Sequence, residues 1–288
     1  MDHFTAIYQL SDTYSIKLLC DIAGVSRSGY YKWLKRQDQP PTIKEMEEQR
    51  LISLIREGFN KVRGIYGYPR MKIWLKRNYE LKINKKRIYR LMKLMGIKSI
   101  IRKKKPKFSG KADGVFANNV LNRKFHARLP NLKYVTDITY LTFGRHRLYL
   151  SVILDLFNNE VVSYKISESN DTELVLNTVK ETQEKRDVSQ VLIHSDQGHQ
   201  YTSHKYNNYI KELNMKVSMS RKANCWDNAC IESFFGHLKS ELMYINNFRT
   251  KELVIKAVQG YIHFYNTERF QKKLNNLTPL EYRNKVVA

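Results

Sequence analysis

The 288-residue sequence predicts an all-α amino-terminal part followed by a mixed α/β sheet with flanking helices. Three observations carry that prediction. Over residues 1–99 apolar positions recur at helical spacing, punctuated by Gly24, Pro40-Pro41, Pro69 and Gly96. From Leu132 the pattern becomes alternating and β-branched, with short turns between the runs. After residue 170 helical and extended stretches alternate, the order of a sheet covered by helices.

In chain order, Ser15 to Arg36 reads as helix, turn, helix. Ile16, Leu18, Leu19 and Ile22 give the first helix an apolar side, Gly24 ends it, and Ser26 caps a second helix through Tyr30, Tyr31, Trp33 and Leu34. This is helix-turn-helix spacing, and Arg27, Lys32, Lys35 and Arg36 on the second helix are candidate contacts to a DNA groove or backbone. Residues 1–39 thus form a first module, and 42–99 a second. Within the second, a helix is expected from Thr42 to Phe59, another after the Gly64–Tyr68 loop with Pro69 at its first position, and a third capped by Asn84 and ended by Gly96. Its Ile88, Leu91, Met92 and Met95 stripe is core packing, while its basic residues face phosphate.

Residues 100–130 read as a basic linker, in which Lys103, Lys104 and Lys105 lie in a position to follow a DNA backbone. The remainder, 131–288, forms the sheet domain and a carboxy-terminal helical tail. Strands are expected at Lys133–Phe143, Leu148–Phe157, Glu160–Ile166, Val191–His194 and Lys216–Met219. Helices are expected at Asp171–Lys185, Ser203–Leu213, Trp226–Met243 and 250–266, with Asn266–Tyr282 packing back on the core.

Composition narrows the function. The net charge of +24 calls for a polyanionic partner, and residues 1–107 hold 26 Lys/Arg against 9 Asp/Glu, so most of the excess lies at that end. Cys20, Cys225 and Cys230 form no C-x-x-C pair, which excludes a disulfide framework or zinc knuckle. There is no membrane-length apolar run, no signal-peptide pattern and no Walker-type glycine loop, so a cytoplasmic, nucleoid-associated protein without nucleotide hydrolysis is expected.

Chemistry concentrates on three acids. Asp137 lies within an apolar strand, Asp196 follows the run Val191-Leu192-Ile193, and Glu232 lies on a helix with 35 residues separating it from Asp196. A buried charge in a strand needs a partner or a metal, and three converging carboxylates suit hard divalent cations. Two ions about 3.5–4 Å apart would activate an attacking oxygen and stabilise a departing one. Lys239, two helical turns beyond Glu232, shares its face and can meet a phosphate there. Asp155 is read as structural, His194 and His199 as hydrogen-bonding residues, and Trp226 as a core anchor for the helix that follows it.

The segments TDITYL (136–141), HSDQGHQYTS (194–203), SMSRKANCWDNACIESFFGHLKSE (218–241) and YNTERFQKKLNNLTPLEY (265–282) resemble the second-reading-frame transposases of bacterial insertion sequences, over nearly the whole chain. The resemblance implies a ribonuclease-H-like core related to retroviral integrase, with Asp137, Asp196 and Glu232 as the catalytic and metal-binding triad and Lys239 as its helical basic residue. It implies metal-dependent 3′-end cleavage and strand transfer, with two Mg2+ ions when DNA is bound, Mn2+ substituting, and no covalent protein intermediate. DNA ends and target are the implied partners, together with self-association on DNA and an upstream-frame partner protein or frameshift fusion. Tyr134 and Gln271 depart from the family's usual tryptophan and histidine. A noncatalytic DNA-binding regulator, or a decayed element product, is the competing reading; a simple nuclease of the same fold is the third.

Overall fold

The structure, a computed structural model, describes residues 3–37, 39–100, 116–221 and 225–287. Lys103, Lys104 and Lys105 therefore lie outside the described residues. The chain opens with α1 (His3–Leu10), which the sequence pattern does not signal, then α2 (Ile16–Ala23) and α3 (Arg27–Gln37). Ser15 caps α2, Gly24 ends it at a φ of 64°, and the Ser26 hydroxyl accepts from Gly29 N–H. Ile7, Leu19, Cys20 and Tyr30 make a small core, backed by Phe4 and Trp33. The expected apolar side of α2 is only partly right: Leu19 is buried, but Leu18 and Ile22 are exposed. With α1 present, Cys20 takes the inward position that Leu18 and Ile22 were expected to fill.

The next helices are α4 (Ile43–Lys61), α5 (Tyr68–Tyr79) and α6 (Lys85–Leu94). Thr42 and Glu45 form a reciprocal capping box on α4, and Asn84 caps α6. Helix α5 starts at Tyr68, one residue earlier than expected, so Pro69 takes its second position, where a missing N–H still costs nothing. Leu51, Ile55, Met71, Trp74, Leu75, Ile88, Leu91 and Met92 form the core of these helices. Phe270 and Phe264, from the far end of the chain, complete it.

Five strands follow: β1 (Lys133–Phe143), β2 (His146–Asp155), β3 (Val161–Ser167), β4 (Leu192–Ser195) and β5 (Lys216–Met219). Their order is β3-β2-β1-β4-β5, with β1–β2 and β2–β3 antiparallel and β1–β4 and β4–β5 parallel. The parallel pairs need crossovers, supplied by α7 (Thr172–Lys185) and by α8 (His199–Thr202) with α9 (His204–Glu212). Alternation along β1 divides the core. Tyr134 faces α7 and α9 with Val175, Val179 and Ile210, whereas Val135 faces the later helices. This is the ribonuclease-H-like mixed sheet, preceded by helix-turn-helix elements.

The single helix expected over Trp226–Met243 is in fact three pieces. A 3-10 turn (Cys225–Asn228) leads into α10 (Ala229–Leu238), which passes into a π-helical turn (Lys239–Met243). The π turn changes the helix phase and brings Glu241 inward. There its carboxylate accepts from Arg269 Nε (2.8 Å) and Nη2 (2.5 Å) and from the Tyr261 hydroxyl (2.8 Å). Tyr261 lies on α11 (Lys251–Thr267), and α12 (Pro279–Val287) closes the chain. The tail packs back as expected. Tyr66, ahead of α5, donates to the Glu268 carbonyl and accepts from Phe270 N–H, and Arg77 stacks on Phe270 at 4.6 Å.

Burial raises the Glu241 carboxyl, but Arg269, with His237 and Tyr261, outweighs this and leaves it below its ordinary value. Its stabilisation is therefore complete above the unfolded value of about 4.3 and lost as pH falls through the lower folded value. Glu241→Gln strands a charged, buried guanidinium, so urea denaturation should show a loss of about 3–5 kcal/mol. The variant should also lack the part of the acid-side decline in stability that Glu241 contributes.

Candidate active site

Strands β1 and β4 bring two of the predicted acids together. Their parallel register runs Lys133–Leu192, Tyr134–Ile193 and Val135–His194, and pairing ends there. Carried on two residues, the same register places Asp137 across from Asp196, just past the end of the pairing. Period 2 also puts Asp137 on the Val135 face of the sheet. That face is covered by Ile231, Phe234, Phe235 and Leu238 of α10, the helix that carries Glu232. The Asn228 amide donates to the Thr136 carbonyl at 3.3 Å, pinning the start of α10 beside Asp137.

Electrostatics reflects the proximity of the three acids. The Asp137 carboxyl is pushed well above its ordinary value by burial, then by Asp196 and Glu232; Ile138 N–H, donating at 2.8 Å, and Lys239 oppose this. Asp196 is raised by burial and by Glu232, against a 2.9 Å hydrogen bond from Gly198 N–H and the pull of His199. Among the described residues, however, no three His, Cys, Asp or Glu side chains are close enough to hold a metal ion as they stand. The three acids thus sense one another without converging on one point.

The surrounding residues set the acids' geometry. Gly198 leaves little room for a side chain: a Cβ there would lie 3.0 Å from Asp196 Oδ1 and 3.1 Å from Gln200 Oε1, so one of them would have to give way. The sequence reading missed this role, although an aspartate two residues before a glycine is an Asx-turn signal. His194 bonds Ser218 (2.8 Å) and Ser220 (3.1 Å) across to β5, and burial lowers its imidazole to about 4, so it is a neutral strut. Ser195 donates to the Asp196 carbonyl and is not set up as a nucleophile. Asp155 accepts from Asn131 and Phe157 N–H at the end of β2, with burial lifting it to about 6, consistent with its structural reading.

Lys239 lies where α10 becomes the π turn, and its ammonium is 4.2 Å from the centre of the Tyr140 ring, with Arg147 also on that ring at 5.1 Å. Trp226 corrects an expectation: it is 70% exposed and does not anchor the core. The inward position in the 3-10 turn belongs to Asp227, fully buried and bonded to Arg221, Arg123 and Asn119. Those bonds, Arg221 foremost, hold its carboxyl well below the usual range. Far from the acids in sequence, Arg27, Lys32, Lys35 and Arg36 are all exposed on α3. Arg36 is engaged by the Glu45 carboxylate at 2.6 Å, tying α3 to α4.

Comparison with known proteins now gives this arrangement its setting. Residues 127–225 and 232–287 match integrase core domain families, and residues 46–105 match an HTH-like domain. The chain is 40% identical over 277 residues to a protein of Escherichia coli K12 described as putative transposase InsK for insertion sequence element IS150, covering 96% of each chain. It is 32% identical over 278 residues to transposase InsF of insertion sequence IS3A from the same organism, again covering 96% of each. Among solved structures, the HTLV-2 integrase catalytic core domain in complex with magnesium is similar at 16% identity and a TM-score of 0.42, over 54% of this chain and 97% of that one. The near full-length identity to insertion-sequence transposases, with the integrase core and HTH-like domains in one chain, shows that this protein belongs to the insertion-sequence transposase family.

Proposed function

We propose that the protein cleaves the 3′ ends of an insertion sequence and transfers them to target DNA, with Asp137, Asp196 and Glu232 as its catalytic acids. The observation that carries this reading is the juxtaposition of Asp137, on β1, with Asp196, just past the end of the parallel strand β4, beneath the helix that bears Glu232. The donor chemistry fits divalent cations: Asp196 and Glu232 add to the charge cost of Asp137, and Glu232 to that of Asp196, in a partly buried site, with Lys239 tempering it at Asp137. Mg2+ is the expected ion, with Mn2+ able to replace it, held by Asp137, Asp196 and Glu232. When bound, a pair of such ions supplies Lewis acidity to the attacking and departing oxygens of a phosphodiester.

The chain's own groups do the positioning. Asp137 and Asp196 are held on the sheet, and the Gly198 N–H fixes the Asp196 carboxylate. Glu232 comes from a helix pinned at its start by Asn228, which keeps its carboxylate within electrostatic reach of Asp137. Lys239 holds a phosphate as a point charge, with Tyr140 fixing where its ammonium sits. Water or a DNA 3′-hydroxyl attacks directly, because Ser195 is committed to a backbone carbonyl. The exposed basic residues of α3 and α6 are proposed to grip the element ends. Assembly of several copies on DNA and association with an upstream-frame protein belong to the same proposal.

Joining of a labelled terminal oligonucleotide to plasmid in Mg2+ tests this reading, since a mere DNA binder would shift the oligonucleotide without joining it. Asp137→Asn, Asp196→Asn and Glu232→Gln should each lower joining at least about a hundredfold, because even outer partners of metal ligands are worth about 10–100-fold. Their thermal midpoints should hold or rise, since each change removes like-charge repulsion. Near-normal joining by any one variant would remove that residue from the site.

Two finer substitutions follow from the geometry. Gly198→Ala keeps an ordinary backbone, with φ at −60°, yet crowds the Asp196 carboxylate, so joining should fall while the melting temperature barely moves. Lys239→Ala should slow joining at subsaturating DNA ends, and Lys239→Arg should retain most of the rate because the charge survives. Identical rate curves for wild type and both Lys239 variants would return that lysine to an ordinary surface role.

A further inference from the structure

Where the second group of helices meets the sheet domain, a cleft of about 420 Å3 opens on the flank of α10 away from the three acids. Cys230, Ser233 and His237 of α10 form one wall, and Arg70 of α5 with Lys272 and Lys273 forms another. Among the described residues, no carboxylate lines it. A neighbouring cleft of about 440 Å3 shares Arg70, His237, Arg269 and Lys272 and continues past Gly67 and Pro69. Its acid, Glu241, is already taken by Arg269.

Arg70 is the unusual member. It lies over the Tyr66 ring at 5.6 Å, half-buried, and burial together with the nearby Arg269 lowers its affinity for its proton. No carboxylate among the described residues is within ion-pair distance of it. A desolvated guanidinium beside two exposed lysines, with aromatic walls from Phe125, Phe157 and Tyr282, costs free energy unless an anion completes the site. The volume is that of one or two nucleotides, too small for a duplex. Cations beside aromatic faces suit a nucleic-acid strand, with phosphates on the charges and a base on a ring.

We propose that this cleft is a phosphate-binding channel for one strand of DNA, with Arg70, Lys272 and Lys273 contacting the backbone. It rests on the reading that the chain acts on DNA, and it adds a contact for the strand on the flank of α10 that faces the second group of helices. Ser233 follows Glu232 directly, about 100° around the same helix, so a strand in the channel runs beside the helix that carries the catalytic acid. Because the channel contacts backbone, it should act alike on every sequence.

The test is binding of a labelled DNA end by the full chain in EDTA, which removes catalysis, at several salt concentrations. The variants are Lys272→Ala/Lys273→Ala, Arg70→Gln, Arg70→Lys and, as a charge control on α9, Lys211→Ala. Removing one cation from a phosphate should flatten the slope of log affinity against log salt by about 0.7–0.9, equally for specific and unrelated sequences. Arg70→Lys should restore most of what Arg70→Gln loses, and Lys211→Ala should match wild type. Wild-type slopes in both Arg70→Gln and the double lysine variant would overturn the channel. So would competition by inorganic triphosphate that depends on these residues while the DNA slope stays unchanged, because the site would then serve a small anion. A wild type that binds no DNA at all would overturn the functional reading and the channel together.

Discussion

The parallel pairing of β1 with β4 governs how everything else in the molecule is arranged. It ends at Val135 and His194, and so leaves Asp137 and Asp196 side by side just past the last paired residues. Two carboxylates in that position repel, and burial makes the repulsion expensive. The sheet can carry the cost because both its faces pack against apolar side chains: Val135, Leu150 and Val152 on one, Tyr134, Ile153 and Ile193 on the other. Stability invested in the sheet thus holds in place a charge arrangement that would relax if it stood on loops.

Helix α10 is fixed by three different devices along its length. At its start, Asp227 gathers Arg221, Arg123 and Asn119 around a buried carboxylate, and Asn228 reaches β1. In its middle, Ile231, Phe234, Phe235 and Leu238 press on the strands. At its end, the π turn directs Glu241 to Arg269. Glu232 stands on a helix fixed by packing, so its position is set by neighbours and not by its own contacts alone.

The same tail residues link the two halves of the chain. Arg269 satisfies Glu241, Phe270 fills the core of α4–α6, and Arg77 pairs with Glu281. The helices that carry much of the positive charge are therefore packed against the sheet domain, with the acid-free cleft between them.

Much of this was legible in the sequence because it depends on local pattern. The alternation over Lys133–Phe143, the Asn84 cap and the glycine stops at Gly24 and Gly96 are set by residue type and spacing, and the elements formed accordingly. The short helices were not legible: α1 has only eight residues and α8 only four. The break of the Trp226–Met243 helix also escaped, because a π turn follows from Glu241 finding Arg269, 28 residues away. Nor could periodicity reveal that Asp227 rather than Trp226 turns inward, since beside the nearby Arg221 that depends on Arg123, 104 residues distant in the chain. Residue type and local spacing settle which positions carry charge and which segments become helix or strand. Which charges meet is a matter of the folded molecule, because β1–β4 register and the docking of the tail are long-range contacts that no local spacing encodes.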